Sequence, residues 1–386
     1  VRGRRIAAER RQQETVKPLE LFFDLVFVLG FTQCTALMAD DPTWEGIARG
    51  LLVLAVLWWS WAAYAWLTSV LDPEEGAVRL VMLGATAALL VVGLAIPEAF
   101  GDRATTFAVA YGVVRAAHIA LFGIASRDEP DLRHSVIGLA GSSAVAVGLL
   151  LGASFLDGAA QGVLWGLAIV VDWGLPAVFG TQGWILVPGH FAERHNLVII
   201  LALGESIVAL GVASEIDLTA GVITAAVLGV GIASALWWTY FDVVAIITAR
   251  RLQQAPEGRV RNALARDSYS YLHYPMVAGI VLVALGMEAA LHHVEDHLDA
   301  ERAFALLGGI ALYLLAHVAL RLRNAHTLSR TRFGLAVALL LLVPVATTVP
   351  ALVTVAALNV PLWAMIGYET HLYGDGRYRL RHGLEA

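Results

Sequence analysis

The chain has 386 residues, 58% of them hydrophobic and 15% charged, with a formal net charge of −6 and a mean hydropathy of +0.70. Such a composition excludes a soluble globular domain, and apolar stretches near the ~20 residues that cross a bilayer predict an all-α, polytopic transmembrane helical bundle. The single cysteine, Cys34, excludes an intramolecular disulfide and a cysteine-based metal site.

Residues 1–16, VRGRRIAAERRQQETV, form a basic polar arm with no capacity to build a core. The arm is expected to be retained, because the next segment carries two acids where a signal peptide would be uninterruptedly apolar. The first predicted span, 19–39, bears Glu20 and Asp24 one helical turn apart. Spans follow at 45–70, 77–97, 104–125, 133–155 and 159–179, then at 196–213, 219–248, 268–290, 302–322, 332–348 and 350–368. Residues 371–386 read as a polar tail.

Basic residues fall on alternate connections. Arg2, Arg4, Arg5, Arg10, Arg11 and Lys17 precede the first span, Arg127 and Arg133 flank the connection after the fourth, and Arg194 follows the sixth. Arg250, Arg251, Arg259, Arg261 and Arg266 follow the eighth, and Arg321, Arg323, Arg330 and Arg332 the tenth. Arg377, Arg379 and Arg381 end the chain, whereas the opposite loops offer Arg103 and Arg302. The positive-inside rule therefore predicts a multi-pass protein of the cell membrane with both termini cytoplasmic. These short arginine clusters suit topology and anionic lipid, and nucleic acid is not an expected partner.

The chain repeats itself. DLVFVLG at Asp24–Gly30 returns as ESIVALG at Glu205–Gly211, LWWSW at Leu57–Trp61 as LWWTY at Leu236–Tyr240, and AHIAL at Ala117–Leu121 as AHVAL at Ala316–Leu320. A weaker match sets Asp172 opposite Asn359. These echoes predict two six-helix repeats, 17–180 and 190–370, in the same orientation and related by an axis along the membrane normal.

A carboxylate in hydrocarbon costs at least ~2.5–3.5 kcal/mol, so Asp24 and Glu205 are expected to face protein or water and are the first candidates for an ion or proton pathway. His118, His317 and Asp172 join them as candidates, with Arg115 as a counter-charge; a layer of Asp24, Arg115 and His118 with Glu205 and His317 is one expected arrangement. The competing expectation is that these groups only tie helices together. Glu20 reads as an interfacial anchor, and HFAERH (His190–His195) as an amphipathic segment introducing the seventh span. HHVEDH (His292–His297) reads as a solvated loop rather than a metal site. No Walker A loop, nucleophile elbow or dinucleotide fingerprint stands in context, so neither a cofactor nor a catalytic residue is expected.

PLELFFDLVFVLGFTQ and HFAERHNLVIILALGESIVALG resemble the two signature segments of the low temperature requirement protein A (LtrA) family, a likeness that extends over nearly the whole chain. It implies a bacterial multipass membrane protein, without a defined biochemical activity. FFDLVFVLGFTQ is more distantly similar to the opening helix of a potassium and proton channel family with two six-helix repeats, each marked by a Phe-Ser-Asp motif. Phe23 and Asp24 match its Phe and Asp; the serine is missing, and the second half has Gly204-Glu205-Ser206 instead. Three functions follow in order: a cation or proton channel or transporter, a non-conducting scaffold or stress sensor, and an intramembrane enzyme on a lipid-like substrate.

Overall fold

The computed structural model describes residues 15–179, 183–212, 217–372 and 374. Most of the basic arm, most of the SEID loop, and Arg377, Arg379 and Arg381 of the tail lie outside the described residues. The helices are α1 (Pro18–Asp40), α2 (Trp44–Val70), α3 (Gly76–Ala95), α4 (Ala104–Ala125), α5 (Pro130–Ala153), α6 (Gly158–Phe179) and α7 (Pro188–Val212). They continue as α8 (Ala220–Phe241), α9 (Val244–Gln254), α10 (Arg259–Ala265), α11 (Tyr274–His292), α12 (Ala300–Ala325), α13 (Arg330–Ala346) and α14 (Ala351–Leu372). Among the described residues, nine helical segments are long and apolar enough to cross a membrane. The protein is an all-α, multi-pass membrane protein.

Local chemistry sets several boundaries. Pro18, Pro130 and Pro188 open α1, α5 and α7, where the missing N–H costs nothing. Thr219 and Asp299 cap α8 and α12 by accepting from the amides of Val222 and Arg302. Two expectations need correction. HFAERH is not a lead-in to the seventh span but the first turns of α7 itself. The predicted 219–248 span breaks after Phe241, and the chain resumes as the amphipathic α9 carrying Arg250 and Arg251.

The chain divides into two compact units. The first comprises Val1–Leu37, Ala48–Arg194 and Gln253–Arg266; the second comprises Met38–Ile47, His195–Leu252 and Asp267–Ala386. In the first unit α2 is the core helix, with Trp58, Trp61 and Tyr64 fully enclosed. Leu57 packs against Gly30 of α1, and α3 to α6 follow in a sequential meander. In the second unit α11 is enclosed on nearly every side by α8, α12 and α14. Its backbone meets that of α12 directly, because a Cβ at Gly279 would lie 2.6 Å from the Gly309 carbonyl oxygen. Close approach through small residues replaces the hydrophobic drive that lipid cannot supply. Outward-facing apolar residues such as Leu80, Ile137, Val227 and Leu341 match acyl chains rather than water.

Candidate functional site

Within the first unit, two acids of α1 meet two bases of α7 rung by rung. Glu20 and Asp24 lie four residues apart on one helix face, as do His190 and Arg194. His190 Nε2 donates to Glu20 Oε1 at 2.8 Å, and Arg194 Nη1 donates to Asp24 Oδ2 at 2.8 Å. The matching order means that the opening turns of the two helices run in the same direction. The remaining carboxylate oxygens are served as well. The Lys17 amide donates to Glu20 Oε2 at 2.8 Å, and Trp61 Nε1 of α2 donates to Asp24 Oδ1 at 2.9 Å. Arg194 Nη1 also reaches the Glu20 carbonyl at 3.1 Å, and its guanidinium lies 5.5 Å from the centre of the Trp61 ring. Ser69, near the end of α2, sits 3.0 Å from His190 Nδ1. Glu20, Asp24, His190 and Arg194 are at most 1% exposed.

Each carboxylate oxygen accepts an N–H, which is the arrangement of ionised acids. Two carboxylates therefore face one guanidinium and one imidazole. With His190 neutral, the side chains sum to −1; with His190 protonated, they sum to zero. The helix N-termini that hold Glu20 and His190 add about half a positive charge each at most, and only over the first turn.

Two further buried ion pairs each match one carboxylate with one guanidinium. Arg115 pairs with Asp172 rather than Asp24: its Nη2 donates to Asp172 Oδ1 at 2.9 Å, the Tyr111 hydroxyl donates to Oδ2 at 2.8 Å, and Ser143 bridges the two partners. The expected layer of Asp24, Arg115 and His118 is thus corrected. His118 Nε2–H donates to the Ala63 carbonyl at 3.0 Å, with the Tyr64 and Phe122 rings beside it. In the second unit, Arg332 grips Glu369 through two bonds of 3.1 and 2.9 Å and donates to His317 Nδ1 at 2.9 Å. Because guanidinium only donates, His317 is held neutral at that nitrogen. His273 Nδ1 donates to the Ser268 carbonyl at 2.8 Å, so its Nε2 accepts from Tyr240 at 2.8 Å. The Tyr240 hydroxyl also lies 3.0 Å from Asn196 Oδ1, so its one proton is shared between two acceptors. Glu205 is 1% exposed in the part of α7 that belongs to the second unit. Asn359, the weak counterpart of Asp172, instead donates to the Leu228 and Val355 carbonyls.

A family model described as bacterial low temperature requirement A protein (LtrA) matches residues 15–367. The chain belongs to the LtrA family. A relative from Rhizobium meliloti (strain 1021), described as uncharacterized protein RA0937, is 28% identical over 370 residues, covering 91% of this chain and 89% of its own. No solved structure matches the chain. The LtrA match spans both stretches that build the four-residue ladder, the PLELFFD of α1 and the HFAER of α7. Sequence reasoning had set Glu20 aside as an anchor and had missed His190, Arg194, Ser69, Arg332 and Glu369. For the ladder a signal existed: acid-x3-acid in one segment and base-x3-base in the other.

Proposed function

We propose that this LtrA-family protein is a cation or proton channel or transporter, and that Glu20, Asp24, His190 and Arg194 form its binding station. The single observation behind this is the ladder itself: two carboxylates, an imidazole and a guanidinium, each at most 1% exposed, bonded rung by rung between α1 and α7. Ionisable groups are costly to bury in a membrane protein, and a cluster of them is by default a candidate station for a proton or a cation. Glu205, matched to Asp24 by the proposed duplication, is the acid of the second unit that this reading assigns to transport. Asp172, His118, His317 and Arg115, first read as pathway or counter-charge residues, are assigned to bracing of the helices.

The basic loops support a topology with both termini on the cytoplasmic side of the cell membrane. Proteoliposomes test the function. Purified wild type is expected to dissipate an imposed proton or monovalent-cation gradient, with Glu20→Gln and Asp24→Asn each lowering the rate at least about tenfold and Glu205→Gln lowering it also. Equal leak from wild type, the variants and empty liposomes would leave the scaffold reading in place.

A further inference from the structure

The reading of the ladder as an ion-binding station leaves the ion open. Resting on that reading, we propose that the ion is a proton, that His190 carries it, and that the Ser69 hydroxyl is the rotor that accommodates both protonation states.

The geometry disfavours a metal cation. All four oxygens of Glu20 and Asp24 receive N–H donors, from His190, the Lys17 amide, Trp61 and Arg194. Hard cations need several converging oxygen lone pairs, whereas here those lone pairs meet positive hydrogens and a guanidinium stands among them. Among the described residues, no group of three or more His, Cys, Asp or Glu is arranged to hold a metal.

A proton meets none of these obstacles. In the neutral state His190 Nε2–H donates to Glu20 and the Ser69 hydroxyl donates to Nδ1. When Nδ1 takes a proton, it donates to Ser69 Oγ instead. A hydroxyl both gives and accepts, so the change requires one O–H rotation and no movement of heavy atoms.

Three other buried imidazoles are held differently. His317 Nδ1 is committed to Arg332, while His118 and His273 each donate to a backbone carbonyl. Among the described residues, the ionisable and charged groups named at this end of the ladder come from three elements. Lys17, Glu20 and Asp24 belong to the start of α1 or precede it, Asp72 follows α2, and Glu193 and Arg194 share α7 with His190. The exposed Glu193, with Lys17 and Asp72 3.9 Å apart and 19% and 23% exposed, reaches water and marks the side from which a proton enters. Ser69 is 1% exposed, so its hydroxyl meets the imidazole rather than a substrate carbonyl.

The test uses the full chain in lipid nanodiscs with 15N-labelled imidazoles, and in proteoliposomes. Besides the solvent-exposed histidines, one buried imidazole is expected to titrate, and its signals should vanish in His190→Gln. In Ser69→Ala the titration should move to lower pH by about one unit, because the cationic form loses the stronger hydrogen bond; Ser69→Thr should restore it. Proton flux should fall at least tenfold in His190→Gln and should not require sodium or potassium. An imidazole that titrates in this way in a protein that moves no protons would uphold the proton site and sink the transport function. A His190 signal unresponsive to pH, with potassium or sodium flux intact, would overturn the proposal.

Discussion

Asp24 and Asp172 are both buried aspartates bonded to an arginine, at 2.8 and 2.9 Å, yet the same substitution should affect them differently. Asp172→Asn strips from Arg115 the one carboxylate that pairs with it among the described residues and leaves a net positive charge in a dry interior. Breaking a buried pair from one side costs about 3–5 kcal/mol. Asp24→Asn still leaves Arg194 beside a carboxylate, because its Nε lies 3.9 Å from Glu20 Oε1. Its cost is limited to a mismatched hydrogen bond with Trp61 or Arg194, about 1–3 kcal/mol. Thermal unfolding in detergent should show the larger drop for Asp172→Asn. Flux per folded molecule should show the reverse, nearly unchanged for Asp172→Asn and strongly reduced for Asp24→Asn. Equal loss of stability in the two variants would mean that the second carboxylate beside Arg194 has no physical consequence.

At the scale of the helix, the contact between α11 and α12 is the least forgiving part of the second unit. A Cβ at Gly279 would meet two backbone atoms, the Gly309 oxygen at 2.6 Å and the Tyr313 nitrogen at 2.9 Å, and neither can swing aside. Gly279→Ala must therefore separate the helices, at about 1–3 kcal/mol. The disturbance should spread, because Tyr313 anchors α12 to the Leu236 carbonyl of α8 at 2.9 Å and packs its ring on His317 at 4.5 Å. Gly84 of α3 has open space where its Cβ would stand, so Gly84→Ala is the control and should be neutral or stabilising by up to about 1 kcal/mol. Unfolding midpoints of the two variants decide the matter; a Gly279→Ala protein as stable as the Gly84→Ala control would contradict backbone contact. The helices themselves were legible in the sequence because apolar length is a local property. The start of α7 was not, since a hydropathy reading stops at charges whose partners lie some 170 positions away. For the same reason Arg332 read as a topology signal rather than as the partner of Glu369: one position displays its charge but not its counter-ion.

For the whole molecule, the distribution of arginine fixes an expectation that the ladder depends on, because a proton enters from one side only. Three predicted spans precede Asp102 and eight precede Glu257, so the two residues belong on opposite faces of the membrane. Both are exposed, Asp102 between α3 and α4, and Glu257 between α9 and α10 with its side chain 87% accessible. Cys34, buried in α1, is the lone native thiol and can be replaced by Ala to leave a silent background. In that background, Asp102→Cys should react with a membrane-impermeant maleimide in intact cells, and Glu257→Cys only after the membrane is opened. The loop that holds Glu257 also carries Arg259 and Arg261, the positive charges that the rule retains inside. Labelling of both positions from outside would require an even number of crossings between them and would remove one of the spans assigned from α4 to α8. Labelling in the opposite sense would turn the whole chain over. The first turns of α1 and α7, with Lys17 and Asp72 beside them, would then face the exterior, and His190 would load its proton from there instead.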